Sequence, residues 1–208
     1  MKDRTFVGVL KKWHPFLNLN NFTIFAGPWK TEYYLRAEHK ITRNKLLATI
    51  PLLKNEWKVS FDFKASNFRG LQQVLHMTAG GKGVGSGSKY GDRTPAIWTH
   101  SSRGFVISSA VGGRYNFVKY VKPLPSAGEW TTIEIGQEFD GSKVVYSINI
   151  GGKRVFSTTN SKPSAFENVK VFASSNWYRP VTGFIKNLLI ENKNDGEPTQ
   201  ISTYVFQS

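Results

Sequence analysis

The acidic residues come first, because paired carboxylates are the usual machinery of glycoside cleavage. Retaining enzymes hold two carboxylates about 5 Å apart across one bond. A strand supplies such a pair at positions i and i+2, which share a face. Glu134 and Glu138, in the stretch EIGQE, also share a face. Four residues of strand separate them by about 13 Å, too far for a retaining pair and loose for an inverting one. They read as solvated carboxylates. The histidines are His14, His39, His76 and His100, and none stands at a metal-ligand spacing such as His-x-His or His-Glu-x-x-His. His76 lies in an apolar run and reads as a satisfied core histidine. His100 follows Trp98 at a strand end, where lining a groove and packing are equal readings. With no cysteine, disulfides, thiolate zinc sites and thiol catalysis are excluded.

Binding chemistry is better represented. Sugars are held by aromatic faces, with polar or charged groups beside them for the hydroxyls. Two segments have that make-up: Asn176-Trp177-Tyr178-Arg179, and Tyr90-Gly91-Asp92-Arg93 with Trp98 and His100 downstream. Each has a plainer reading, in which the tryptophans are core and Asp92 and Arg93 pair to fix a loop. The latter is the favoured reading for that pair. The net charge is +14, from 28 Lys+Arg against 14 Asp+Glu. Such a potential favours anionic partners, although it also serves solubility. The cations cluster at Arg103, Arg114, Lys119 and Lys122, and at the turn positions Lys143, Lys153 and Arg154. Turn lysines also protect sheet edges. Basic residues interleaved with aromatics, as in Arg114-Tyr115-Asn116-Phe117-Val118-Lys119-Tyr120, can bind nucleic acid. No nucleic-acid-module signature accompanies them, so nucleic acid is not the expected partner.

The elements that must position these groups are strands. Residues 56–64 (EWKVSFDFK) alternate, with Trp57, Val59, Phe61 and Phe63 on one face. Residues 130–160 contain three strand-like runs joined at Asp140-Gly141 and Gly151-Gly152, dipeptides that supply the positive φ of hairpin turns. Further strands are expected at 31–36, 45–50, 74–78, 96–99, 104–109, 115–121, 169–173, 183–191 and 203–206. Residues 79–88 (AGGKGVGSGS) form a glycine loop. It lacks the Gly-Lys-Ser/Thr of a phosphate loop, and Pro95 obstructs a following helix, so it reads as a surface connection. The sequon Asn21-Phe22-Thr23 carries little weight. About a dozen strands without a helical period predict one all-β domain over residues 1–208, an antiparallel two-sheet β-sandwich or jelly roll.

The order of these pieces carries a resemblance. EWKVSFDFK, QVLHMT, YGDRTPAIW, FVISSAV, EWTTIEIGQ, VVYSINIGGKRV and AFENVKVFASSNWYRPVTGFIKNLLI follow one another. Residues 45–191 resemble a concanavalin A-like lectin/glucanase domain, close to the laminin-G-like modules. Tyr146, Ile148, Ile150 and Gly152 match the modules' Tyr-x-Ile-x-Ile-x-Gly hairpin. Gly183, Ile185, Asn187 and Leu188 match their closing Gly-x-Ile-x-Asn-Leu. The resemblance implies two curved antiparallel sheets and a glycan site on the concave face or rim loops. The Glu-x-Asp-x-x-Glu strand of the related glucanases is absent. Family members bind calcium, but the single loop carboxylate Asp92 falls far short of its six to eight oxygens. No cofactor is expected, with calcium the one candidate.

A second resemblance is to jelly-roll alginate lyases, which use Arg-x-Glu, then Gln-x-His, then a late tyrosine. Arg36-Ala37-Glu38, Gln72 with His76, and Tyr178 follow that order, but the Gln–His spacing departs from the pattern. The leading expectation is a non-catalytic carbohydrate-binding or adhesion module for an anionic glycan. The alternatives are a jelly-roll lyase or hydrolase and a structural interaction domain. No apolar run is long enough for a transmembrane helix. Met1-Lys2-Asp3-Arg4 opens without a signal-peptide core. An extracellular module whose leader lies outside this sequence is expected, with a cytoplasmic location as the alternative. The oligomeric state is left open.

Overall fold

A computed structural model describes residues 28–80 and 89–194. Trp29–Asn194 form one compact unit, which is described by itself. His14, the sequon, the greater part of the glycine loop and the strand expected at 203–206 lie outside the described residues. Among the described residues every regular element is a strand. In chain order they are β1 (Trp29–Leu35), β2 (His39–Lys40), β3 (Leu46–Leu53), β4 (Trp57–Ala65), β5 (Leu71–Thr78), β6 (Ala96–His100) and β7 (Gly104–Val111). The rest are β8 (Arg114–Val121), β9 (Thr131–Phe139), β10 (Val144–Ile150), β11 (Lys153–Thr159), β12 (Phe166–Phe172) and β13 (Gly183–Lys193). The two-residue β2 is too short to give a sequence signal.

The strands form two antiparallel sheets, confirming the predicted sandwich. The first runs β1-β13-β4-β9-β10-β11, with β2 also on β13; the second runs β3-β12-β5-β6-β7-β8. β4 behaves as its alternation predicts: Trp57, Val59, Phe61, Phe63 and Ala65 are buried, and the residues between them are half-buried. Opposite them lie Leu75, Met77, Ile97, Phe105, Ile107, Val169 and Val171 of the second sheet, in the same cluster. The Phe63 and Phe105 rings meet edge-on, with centroids 5.9 Å apart.

Polar contacts tie the layers where apolar packing alone would leave register loose. The Tyr146 hydroxyl is 2.8 Å from Ser109 Oγ, joining β10 to β7. Burial pushes the Tyr146 phenol well above its ordinary pKa, so it stays protonated. Asn160 Nδ2 donates to Gln137 Oε1 at 2.7 Å, while its Oδ1 accepts from Gly112 N at 2.8 Å. These bonds join the end of the meander to the β7–β8 turn.

The second sheet departs from simple alternation. β5, β6 and β7 are buried on both faces along nearly their whole length. A register shift between Gln73 and Leu75 turns Val74 into the core. It leaves Leu71, Gln73 and His76 on the outer face, beside their β6 partners His100, Trp98 and Ala96. A second packed cluster, Ala96, Trp98 and Val106 with Leu71, Val118 and Trp177, occupies that outer face.

Both hairpin turns of the meander use glycine as predicted, with φ of 100° at Gly141, 58° at Gly151 and 75° at Gly152. Gly104 differs: its φ is 83°, and an added Cβ would run into the Val121 carbonyl. A Cβ on Gly152 would meet nothing within 4 Å. Gly152→Ala should therefore cost only the left-handed backbone penalty, about 1–2 kcal/mol. Gly104→Ala should cost at least ~2 kcal/mol more, because the β7–β8 pairing must shift. Urea unfolding of both variants checks this, and equal losses would contradict it.

Candidate functional site

In an antiparallel pair, directly opposed residues project from the same face. One row across the second sheet is therefore Gln73, Trp98, Val106 and Tyr120, and the next is His76, Ala96, Ser108 and Val118. Both rows point away from the core. The chain between β12 and β13 folds onto this face and brings Trp177 and Tyr178 to it. The Trp98 and Tyr178 rings meet edge-on at 5.6 Å. Trp177 lies on His76, with ring centroids 4.3 Å apart.

Arg93 completes the arrangement from the segment before β6. Its guanidinium sits 4.8 Å from the Trp177 ring centroid and 5.9 Å from that of Tyr115. Burial among these rings lowers its pKa from the ordinary value, yet arginine remains charged at any physiological pH. At the far end, the Arg103 guanidinium lies 5.6 Å from the Tyr120 ring centroid. The exposed parts of the surface are aromatic: Tyr115 is 41% exposed, Tyr120 50% and Tyr178 42%. Ser108 Oγ donates to Asn116 Oδ1 at 2.8 Å beside them. Gln73 Nε2, His76 Nδ1, Trp98 Nε1 and Trp177 Nε1 are buried with no hydrogen-bond partner among the described residues. Hydrogen-bonding capacity is therefore concentrated around these rings.

The sequence candidates divide on the structure. Arg93, Trp98, Trp177, Tyr178 and His76 come together on one face. Tyr90 does not: its hydroxyl donates to the Lys162 carbonyl at 2.6 Å, and its ring lies against Phe166. Asp92 is buried as a loop fastener. Its carboxylate accepts from Lys89 N at 2.8 Å, and its carbonyl accepts from His76 Nε2 at 2.7 Å. His100 Nδ1 accepts from Ser102 N at 3.2 Å and caps the β6–β7 turn. Arg179 donates to the Arg69 carbonyl at 2.9 Å, bracing the loop that carries Trp177. Tyr115, Tyr120 and Asn116 were missed as ring-binding candidates. The sequence marked them only as part of a basic-aromatic run; strict alternation would separate Tyr115 from Asn116 and Tyr120, and the register shift opposite Ser109–Val111 that breaks it is not visible in the sequence.

The lyase constellation is not assembled. Arg36 lies in the β1–β2 connection of the first sheet, and its carbonyl faces Asn187 N. Gln72 is turned to the loop, its Oε1 accepting from Arg69 N at 2.7 Å. The His76 imidazole is wholly buried and already bonded to Asp92. Nor do the glutamates converge: Glu134 accepts from Asn149 Nδ2 at 2.6 Å, and Glu138 pairs with Lys193 at 2.8 Å. Among the described residues no group of three or more His, Asp or Glu is arranged to hold a metal ion. The basic candidates also separate. Lys143 and Arg154 line a cleft of about 670 Å³ on the outer face of β9–β11, with Glu138 and Asp140 among its walls. That cleft offers a single aromatic, Phe139, so the second-sheet face suits a sugar ring better.

His76 gives this face a pH signature. Burial pushes its pKa down to about 4 from 6.5, and the neighbouring Arg93 charge acts in the same direction. Between those values the unfolded chain takes up a proton that the native state refuses. Stability should fall by ~3 kcal/mol as the pH drops from 6.5 to 4, with no contribution from His76 above 6.5. Unfolding free energies at pH 7.5 and 4.5 should show a smaller acid loss for His76→Gln than for the native protein. Parallel losses would refute the assignment.

No protein-family model and no curated protein matches the chain. Solved structures do. The CBM40 module of the Ruminococcus gnavus IT-sialidase, bound to alpha2,3 sialyllactose, superposes with a TM-score of 0.55 at 9% identity, covering 77% of this chain and 91% of that one. The same module without that sugar gives 0.52 at 10% identity, over 78% and 96% of the two chains. A structure described as NanB plus Optactamide gives 0.52 at 16% identity, covering 84% of this chain and only 26% of that one. At these identities the likeness is one of fold: this chain has the two-sheet β-sandwich of those modules.

Proposed function

We propose that this chain is a non-catalytic carbohydrate-binding module whose outer second-sheet face takes an anionic glycan. The observation that carries the reading is the convergence of Tyr115, Tyr120, Tyr178 and Trp177 with the guanidinium groups of Arg93 and Arg103. Aromatic surface packs on the C–H faces of a sugar ring, and a planar guanidinium matches a carboxylate with two parallel donors. A guanidinium held between rings is already desolvated and oriented, so less is lost when it binds. The Ruminococcus gnavus module of the same fold, bound to sialyllactose, supports a sugar as ligand. An extracellular adhesion role fits this ligand class.

The lyase and hydrolase reading is disfavoured by the separation of Arg36 from His76 and by the engagement of both glutamates. A purely structural interaction domain would not need arginines stacked among half-exposed tyrosines.

A glycan array carrying neutral, sialylated, uronic and sulfated sugars tests the proposal. Binding should be strongest to acidic glycans. Tyr178→Ala should weaken it about tenfold, the equivalent of one lost ring contact. Arg93→Gln should weaken acidic ligands ~10–100-fold relative to neutral ones, the range of a charged hydrogen bond. Retention of no glycan, or equal binding by native protein and both variants, would sink it.

A further inference from the structure

The cations of this chain are not spread evenly. Residues 93–128 hold five Lys or Arg and no Asp or Glu, and residues 141–166 hold four and again no acid. The first segment forms β6, β7 and β8, and the second forms β10 and β11. The fold puts them side by side. β8 ends the second sheet and β11 ends the first. Phe117 of β8 meets Phe156 of β11, with centroids 5.9 Å apart, and Lys119 Nζ lies 4.4 Å from the Phe156 ring centroid. The two acid-free segments therefore share one open edge of the sandwich.

The direction along that edge follows from the contacts. Gly112 N donates to Asn160 Oδ1, and Gly113 lies against Lys162, so the end of β11 sits beside the start of β8. Lys153, at the start of β11, then sits towards the end of β8, near Lys122 and Arg103. Lys153 pairs with Ile150, which packs into the core, so it projects on the side of the second sheet. The result is a row: Arg103, Lys122 and Lys153 at one end, Lys119 in the middle, Arg114 and Lys162 at the other. At 3.3 Å per residue the eight residues of β8 make it about 25 Å long.

None of these six cations has a carboxylate within salt-bridge distance among the described residues. On the first sheet the pattern is the opposite: Lys30 pairs with Glu32, Lys58 with Glu191, Lys64 with Glu38, and Lys193 with Glu56 and Glu138. Keeping an edge from pairing with another strand needs a charge or two of either sign. It does not need 62 residues without an acid.

We infer that the β8–β11 edge is a binding strip for a linear polyanionic glycan, one bearing sulfate or carboxylate groups along its length. It meets the aromatic face only at Arg103 and does not rest on the reading given to that face, because Arg114, Lys119, Lys122, Lys153 and Lys162 carry it. Row geometry suits a chain ligand, and the cations sit on strands and tight turns, so little backbone must be newly ordered.

Heparin-agarose chromatography and titration with heparan sulfate at several salt concentrations test it. The triple variant Arg114→Gln, Lys119→Gln, Lys153→Gln should elute at clearly lower salt than the native protein. Its dependence of log affinity on log salt should flatten by about one for each cation removed. The control Lys30→Gln, Lys40→Gln, Lys45→Gln changes the net charge equally and should elute close to native. Tyr178→Ala should be retained as the native protein is. Should the triple variant melt early, Arg114→Gln with Lys153→Gln, both at exposed positions, serves instead. A control that shifts as much as the strip variant would overturn the inference. So would loss of heparin retention in Tyr178→Ala, which would move the ligand to the face. Tighter binding of a thymidylate 20-mer than of heparan sulfate at equal salt would overturn it in favour of nucleic acid.

Discussion

The loop that carries Trp177 and Tyr178 stays on the second sheet because Gln73 holds it there. β12 pairs with β5 only as far as Phe172 opposite His76. Beyond that point the edge of β5 would be left with open backbone groups, which a buried strand cannot tolerate. The returning chain takes the place of β12. Gln73 N donates to the Arg179 carbonyl at 2.9 Å, and Val181 N donates to the Gln73 carbonyl at 3.0 Å. Pro180 sits between them, where the missing proline N–H is not needed. The Gln73 side chain adds a second grip, its Oε1 accepting from Ser175 N at 2.7 Å and Ser175 Oγ at 2.9 Å. A neutral amide does this without burying a charge. The bonds that complete the sheet are thus the bonds that aim the aromatic rings, and the face inherits the rigidity of β5.

The two outer faces of the sandwich have diverged in kind. The first sheet shows water a lattice of paired charges, with Lys58 and Lys193 also lying over Trp29 and with Lys64 and Lys186 over Trp130. Exposed pairs of that sort add little stability each, and they leave the local potential near neutral. The second sheet and the adjoining edge show cations with aromatics and few acids. A net charge of +14 spread over the whole surface would speak of solubility alone. Along the β8–β11 edge no carboxylate among the described residues pairs with the cations, so the unbalanced charge there can steer an anion to a particular place.

How far the sequence foretold this depends on how many faces a strand buries. β4 buries one face, so its alternation marks Trp57 to Phe63 as core without reference to any neighbour. The meander turns were legible because glycine adopts the φ values of Gly151 and Gly152 more readily than any other residue. β5 buries both faces and contains a register shift at Val74, so LQQVLHMT has no period to read. His76, read as a core histidine, is indeed buried, but against Trp177 on the outer face. Tyr90 and Arg93 are three residues apart, and nothing local says that one turns to Lys162 while the other turns to Trp177. Tyr115 and Tyr120 could be placed only through the pairing of β8 with β7, a long-range fact.

The state of His76 bears on whether this face turns a sugar over or holds it. A general base must reach the proton it takes, and it works best with a pKa near the operating pH. His76 Nε2 is committed to the Asp92 carbonyl, the ring is covered by Trp177, and the pKa sits at about 4. The same features suit a supporting role. A neutral imidazole lets the Arg93 guanidinium lie against Trp177 without a second positive charge beside it. Protonating His76 would place that charge under the indole and oppose Arg93 directly. The low pKa of the histidine and the stacking of the arginine are therefore two consequences of one arrangement, in which Trp177 touches both a buried neutral imidazole and a cation.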